Sequence, residues 1–505
     1  MLLSSSPICY GSIPSIGKTP KTTVQALQID EEPKKFILRG EMINRHEIEA
    51  KSREFEIHTA HVERDYVFGW LLAGIYTVSP LKDLLTLKGG NCFRKAYFPF
   101  TRFSVDLDFS TQTALDTAFL HQELNKVCDF VQGTSGVIFE KNRNHVEEKL
   151  VIDKQRKVYE AKLYFKDFYG NPDRITISIR LDVTQFDKIY LPIQERFLIH
   201  PYSDESECKA KIKCVKLEEL LATKLKCLLQ RRQSYDLYDY IYSIFINKDI
   251  NVKRTEIVTT FLKKTIFEPS PGVVRNLLLE SPFEVFRGIW HRYIICPRQS
   301  IIEFDFALRN FKQNIEELFG GFGIGYGQLA YFPAKFRNPI IDAGSNMTLL
   351  EVAYDGIKRI VEPYSLVYKR RKDGYGQEYF YVYDRTGGRS SGPGIKCFVN
   401  TKIASINPTT EQFTPRFPVE LSKAGEFGDK TYFGSSFTKV RSTRSPLGLR
   451  RVKRYRTGTT YIVQCSYCDK KFRRSTYTTK LKKHKDKHGN PCYGRVGYVI
   501  DQVFG

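Results

Sequence analysis

Asp106 and Asp108 stand two residues apart in RFSVDLDFS. At the period of two of a β-strand, both carboxylates face one side and Val105, Leu107 and Phe109 the other. Neighbouring carboxylates repel each other unless a cation sits between them. Mg²⁺ or Mn²⁺ is such a cation, bound by a few carboxylates with water and substrate phosphates. A third carboxylate lies in DRITISIRLDV, where Ile175, Ile177, Ile179 and Leu181 share an apolar face and Ser178, Arg180 and Asp182 a polar one. If this strand pairs beside the first, three carboxylates can hold two metal ions ~3.5–4 Å apart for an in-line displacement at phosphorus. Upstream, Gly89 and Gly90 precede a short helix predicted over 91–98. Glycines let backbone approach a phosphate, and a helix start offers free N–H groups. Lys88 and Arg102 can add positive charge.

These residues need a scaffold. A helical pattern over about 46–78 carries Val67, Trp70, Leu71 and Ile75 at helical spacing. Residues 83–110 alternate turn, short helix and strand. Two alternating strands fall in 158–185, and 216–246 reads as a strong helical stretch followed by further helices to about 316. The Gly-, Pro- and aromatic-rich 317–346 reads as a linker. Residues 347–422 read as short strands with turns at DG, GG and GPG, as in a small β-barrel. Residues 423–457 form a basic linker, and a compact Cys/His segment occupies 458–505. The N-terminal 1–50 reads as partly irregular. The expected fold is therefore an α/β (α+β) domain over 51–316, then a small all-β barrel and a small zinc-stabilised module.

The 505 residues are 41% hydrophobic and 13% aromatic, which suits folded cores rather than disorder. A formal charge of +23 points to a polyanionic partner, nucleic acid first. No apolar run approaches the ~18 residues of a membrane span, and the N-terminus lacks the pattern of a signal peptide. The expected compartment is the cytoplasm, where scattered single cysteines stay reduced.

The run KGG…RFSVDLDF resembles the signature of the AbiEii/AbiGii-type abortive-infection nucleotidyltransferase toxins. HVERDY (61–66), ISIRLDV and KLEELLATKLKCLLQRRQSYDLYDY (216–240) resemble further segments of that family. By this resemblance Asp106, Asp108, Asp182, Lys224 and Asp236 are catalytic, and Gly89, Gly90, Arg102, Ser104 and Arg231 bind nucleotide. Lys224 and Arg231, seven apart, can share one helix face. Position 91 is Asn where the family more often has a small hydroxyl residue, and position 235 is Tyr where a basic residue is common. The resemblance implies transfer of a nucleotide from an NTP to an acceptor hydroxyl, with release of pyrophosphate. A tRNA end or other RNA is the expected acceptor, a protein side chain a lesser one. A cognate antitoxin or a defence-system partner is implied, in a toxin–antitoxin or antiviral setting.

Residues 348–420 resemble a WYL domain, an Sm/SH3-like barrel, through KRIVEPYSLVY, YFYVYD and KCFVNTKIASI; Tyr379-Phe380-Tyr381 replace its Trp-Tyr-Leu, and Lys396 and Lys402 fall where arginines bind ligand. Cys465 and Cys468 make a C-x-x-C knuckle, followed by His484, His488 and Cys492. Zn²⁺ wants four N or S ligands in a tetrahedron. The first three fit with either Cys492, by a fold-back of the chain, or His488, one helical turn on, as the fourth. The segment resembles a Cys2His2 finger with Phe472 and Leu481 in the usual places. Arg473, Arg474, Lys480, Lys482, Lys483, Lys485 and Lys487 surround it, as in a phosphate-contacting module for RNA or DNA. The rival to an enzyme is a nucleic-acid-binding regulator with an inactive transferase domain; the complete set of Asp106, Asp108, Asp182 and Lys224 favours the enzyme.

Overall fold

The computed structural model describes residues 43–504, apart from 152–155, 169–175, 248–249, 323–327, 371–375, 429–431, 436–458, 466–467, 469, 475–477, 487–490, 493 and 496. Two helices, α1 (Arg45–Phe55) and α2 (Thr59–Thr77), lead in, broken at Glu56 with φ 54°. Asn44 caps α1 by accepting from Glu47 N. Helix α2 is buried on every side, so its polar residues need internal partners. Asp65 finds them in Arg94 (2.7 Å), Lys95 (3.0 Å) and the Tyr202 hydroxyl (2.9 Å). Arg94 also donates to the carbonyls of Pro99 and Thr101. This buried set ties α2 to the turn that follows the Gly89-Gly90 segment.

Short α3 (Leu81–Leu84) leads into β1 (Thr86–Lys88), α4 (Gly89–Cys92) and a π-helical turn, Phe93–Tyr97. Then come β2 (Asp106–Thr111), α5 (Thr117–Ser135), β3 (His145–Val151), β4 (Lys157–Lys166), β5 (Thr176–Gln185), β6 (Gln194–Phe197) and β7 (Lys211–Cys214). They form one mixed sheet in the order β3-β4-β5-β2-β1-β7-β6. Strands β2 and β5 run parallel, and β1 and β2 antiparallel. Leu107, Phe109, Ile179 and Leu181 of the expected apolar face are buried in the core together with Val183, whereas Val105, just before β2, is exposed.

The stretch expected as one long helix is divided. Helix α6 (Leu217–Gln230) ends at Arg231, whose extended backbone (φ −146°, ψ 159°) turns the chain before α7 (Ser234–Ile241) and a second π-turn, Tyr242–Ile246. Helices α8 (Arg254–Lys263), α9 (Pro271–Leu279), α10 (Trp290–Tyr293) and α11 (Phe304–Phe319) complete this core.

The expected linker 317–346 contains α12 (Ala334–Asn346), which packs on the following sheet. That sheet holds β8 (Thr348–Tyr354), β9 (Ile357–Arg370), β10 (Gly376–Asp384), β11 (Gly394–Phe398) and β12 (Ile403–Gln412), in the order β11-β10-β9-β8-β12. It is a four-strand meander with the last strand returning beside the first. Its core is Leu350, Val352, Val361, Leu366, Phe380 and Val382 against Ile340 and Ile341 of α12. The segment after it docks on the end of α6. There Gln230 donates to the Ala424 carbonyl (3.2 Å), Lys226 pairs with Glu426 (2.8 Å), and Ile266 N donates to the Gly425 carbonyl (2.9 Å). Arg232 pairs with Asp342 of α12 at 3.0 Å. Most of the expected basic linker, 436–458, lies outside the described residues.

The last module contains β13 (Thr459–Cys465), β14 (Lys471–Arg474), β15 (His484–Lys485), β16 (Pro491–Cys492) and β17 (Gly497–Phe504). One sheet runs β14-β13-β17, and β15 pairs with β16 in a hairpin. No helix occurs in it among the described residues, so the ββα plan of a Cys2His2 finger is not the one adopted. No helix among the described residues is long and apolar enough to cross a membrane.

Asp65→Asn leaves Arg94 and Lys95 buried without their counter-charge. The expected cost is about 3–5 kcal/mol of unfolding free energy, read from urea denaturation; a loss below ~1 kcal/mol, the range of a surface pair, would contradict the scaffold role given to Asp65.

Candidate active site and metal centre

The parallel register of β2 and β5 sets Asp108 beside Asp182 and Asp106 beside Arg180. The antiparallel register of β4 and β5 then sets Glu160 on the other side of Asp182. All these polar side chains share one face, because a register fixes which side every residue takes. They open into a cleft of about 1180 Å³ lined also by Lys88, Gly89, Gly90, Arg102, Ser104, Lys224 and Arg231.

The charges are only partly compensated. Arg180 donates to Asp106 at 2.6 Å. Lys149 lies 2.6 Å from Glu160 and 3.6 Å from Asp182, whose Oδ1 makes no hydrogen bond. Burial, then the neighbouring Asp106, pushes the Asp108 carboxyl up to about 7; Asp182 adds to this and Lys88 opposes it. Asp182 is raised as well, by burial first; Lys149 and Arg180 oppose this, and Asp106 and Glu160 add to it. Raised carboxylates with oxygen atoms turned into a cleft are the donor set a hard divalent cation takes.

Gly89 explains why the glycine pair is where it is. Its φ is +71°, and a Cβ there would lie 2.7 Å from Asp108 Cγ. A side chain at Gly90 would lie 2.9 Å from Arg102 Nη2. Asn91 donates to the Asp106 carbonyl at 2.6 Å, so the residue that departs from the family pattern pins the start of β2. Ser104 Oγ donates to Asp106 at 3.3 Å.

The cations behave differently from one another. Arg102 holds Asp239 through two bonds (2.7 and 2.8 Å). Lys224 sits between Asp236 (2.9 Å) and Asp239 (2.8 Å). Burial works against the Lys224 ammonium, but the two carboxylates outweigh it and hold its pKa above the ordinary value. Arg231 forks onto Asp236 at 2.8 and 2.9 Å. Tyr235 lies under Arg102, Lys224 and Arg231, at 4.8, 5.5 and 5.5 Å from its ring centre. Lys224 and Arg231 do not share a helix face as expected, since Arg231 is past the helix end; Asp236 brings them together instead. The Lys224 and Arg102 side chains are 7% and 9% exposed and that of Arg231 is 42%, so Arg231 is the open cation of the three.

Asp239, Arg180, Glu160 and Asp187 were not singled out from sequence. Asp236 and Asp239 are three apart on α7, a spacing that would have suggested a shared face. Arg180 was on the right face but not recognised as a partner for Asp106. Asp187 accepts from Lys88 at 2.7 Å, and that ammonium, against the effect of burial, holds its pKa low.

In the C-terminal module, Cys465, Cys468, His484 and Cys492 come together, their ligand atoms all within 4.8 Å of one another. His484 faces Cys492 across the β15–β16 hairpin. Its Nδ1 lies 2.9 Å from the Lys482 carbonyl, which leaves Nε2 facing Cys468 Sγ at 3.3 Å. His488 lies outside the described residues. In the central sheet, Phe380 is core while Tyr381 stacks on Phe433, and Lys402 pairs with Asp355 at 3.5 Å.

Residues 70–287 match the family model described as "Nucleotidyl transferase AbiEii toxin, Type IV TA system". The chain thus carries a domain of the AbiEii nucleotidyltransferase toxin family over that stretch, which includes the carboxylate cleft. Among solved structures, MenT4, a nucleotidyltransferase toxin from Mycobacterium tuberculosis H37Rv, is similar at 16% identity, covering 54% of this chain and 88% of its own. The TM-score between the two is 0.29. No curated protein matches.

A carboxyl whose pKa is higher folded than unfolded contributes stability at low pH that is lost as pH rises through the folded value. For Asp108 that loss spans the range from its unfolded value, about 3.9, up to about 7. In Mg²⁺-free buffer, Asp108→Asn should therefore narrow the stability difference between pH 5 and pH 8 in urea titrations. An unchanged difference would argue against carboxylate crowding at this position.

Proposed function

We propose that residues 51–316 are a Mg²⁺- or Mn²⁺-dependent nucleotidyltransferase and that the chain is a toxin or antiviral effector acting in the cytoplasm. The observation that carries this reading is the parallel β2–β5 pairing, which sets Asp106, Asp108 and Asp182 on one face beside Gly89-Gly90. The all-carboxylate donor set, with one oxygen of Asp182 lacking a hydrogen bond, fits the hard cation of such enzymes. When bound there, that cation supplies Lewis-acid stabilisation of the charge developing on phosphate oxygens.

The chain's own residues bind, orient and move the proton. Gly89 and Gly90 let the triphosphate approach the backbone. Arg231 is the cation placed to meet phosphate. Arg102 and Lys224, held by Asp239 and Asp236, are positioning residues that fix α7 and Arg231 against the cleft. The hydroxyl oxygen of the acceptor attacks the α-phosphorus and pyrophosphate leaves, while the hydroxyl proton passes to the second oxygen of Asp182, Oδ2, the raised pKa of that carboxyl suiting it to the role and Oδ1 being left to the cation. The NTP is the donor, and a tRNA end or other RNA the acceptor; a neighbouring antitoxin would restrain the activity.

Incubating the full chain with total RNA and each α-labelled NTP tests activity, base and acceptor together. Labelled RNA is expected with wild type, with a loss of about 10³-fold or more in Asp106→Ala and Asp182→Ala. Arg231→Ala should lose affinity for the NTP, whereas Lys224→Met should lower turnover with a smaller change in affinity. Absence of transfer from any NTP to RNA or protein by the wild-type chain would leave the domain as a non-catalytic nucleic-acid binder.

A further inference from the structure

The cleft has a wall that does not belong to the transferase domain. Ile462, Arg473, Thr479 and Val499, all in the C-terminal module, line it together with the segment 291–296. That segment is anchored to the entry of β2, since Phe103 N donates to the Ile295 carbonyl at 2.7 Å. The module meets it where the Tyr293 and Tyr461 hydroxyls lie 3.4 Å apart. On the other flank, the charge of Lys471 reaches Glu63, buried in α2.

The module cannot hold its shape by apolar packing alone. Its buried core is Val463, Cys465, Leu481 and Cys492, and two of these four are the clustered thiols. So small a core needs a staple. Three thiols and an imidazole, close enough to share one ion, make a closed tetrahedral set of the kind that selects Zn²⁺. The hydrogen bond from His484 Nδ1 to the Lys482 carbonyl fixes the ring so that Nε2 is the ligand atom.

We infer that Cys465, Cys468, His484 and Cys492 bind one structural Zn²⁺, and that the module it holds together is the wall of the cleft on which a polynucleotide acceptor lies. Residues 459–505 carry ten Lys and Arg against three Asp. A mononucleotide in the carboxylate site has no use for so many phosphate contacts, whereas a strand running out of the cleft does. Arg473 is exposed on β14 and also lines the cleft, where the strand would pass. The part played by the acceptor rests on the transferase reading above; the zinc site and the binding surface do not.

The test uses the full chain and three readouts. Elemental analysis should find about one Zn²⁺ per wild-type chain, as four closed ligands require, and little in Cys468→Ser or Cys492→Ser. A fluorescein-labelled RNA hairpin with a single-stranded 3′ end should bind about tenfold more weakly to both cysteine variants, and Arg473→Ala should weaken it about threefold with a salt slope shallower by ~1. Affinity for NTP–Mg²⁺ should stay within about twofold, the change expected where no phosphate contact is lost. Both tryptophans, Trp70 and Trp290, are buried in the transferase core, so unchanged tryptophan emission will show that this core remains folded. A zinc-free wild type, or full zinc retention in both cysteine variants, overturns the metal site. Unchanged hairpin affinity in Arg473→Ala, or transfer to protein by a chain that does not bind the hairpin, overturns the wall. Binding is read without turnover, so a chain that binds RNA as described but transfers nothing would refute the transferase reading alone.

Discussion

Electrostatic repulsion among Asp106, Asp108, Asp182 and Glu160 is the constraint to which the surrounding structure answers. A sheet that places these groups on adjacent strands raises its own energy, and Asp108 shows this in a carboxyl pushed up to about 7. The protein offsets it only in part, with Arg180 on Asp106 and Lys149 between Glu160 and Asp182. Full neutralisation would leave nothing for a cation to do. On the reading proposed above, the residual negative field is what a bound divalent cation would neutralise.

Around it, positive charge is rationed by pairing. Arg102, Asp239, Lys224, Asp236 and Arg231 form a continuous chain of ion pairs, with Tyr235 beneath the three cations. Each cation is matched, so none collapses onto the carboxylates of β2 and β5. A chain of this kind specifies a geometry more than it adds stability, because desolvating its members consumes much of the Coulombic gain. Its termination by the half-buried Arg231 gives it a direction, from the buried α6–α7 interface out to the cleft.

The carboxylate face was legible in the sequence because strand alternation is a short-range signal: Leu107, Phe109, Ile179 and Leu181 declare the core side, so the aspartates are left facing the other. The glycine pair was legible as a close approach, although its neighbour proved to be the Asp108 carboxylate. What the sequence did not disclose were the pairings that depend on third dimensions. Nothing local says that Arg180 should lie beside Asp106, since that follows from the register of strands some 70 residues apart. Helical periodicity ran straight through 231–233 because LLQRRQSYDLYDY keeps its apolar spacing across the break; at the turn Arg231 pairs with Asp236 five residues on, and Arg232 with the distant Asp342. In the C-terminal module the Cys and His spacing suggested the finger's helix at His484, but the chain pairs His484 with Cys492 as strands instead.

The docking of Ala424, Gly425 and Glu426 onto the end of α6 bears on how the chain can be divided. The segment that resembles the toxin family stops at residue 287, well before those residues. A fragment cut there would keep every carboxylate of the cleft. It would also leave Gln230 and Lys226, on the helix whose end sets Arg231, and the Ile266 amide, just past α8, without these partners. The stretch that matches the family model is therefore shorter than the set of residues packed around the end of α6. A trimmed enzyme of this kind would have a complete set of reacting groups and a loosened hinge beneath one of them.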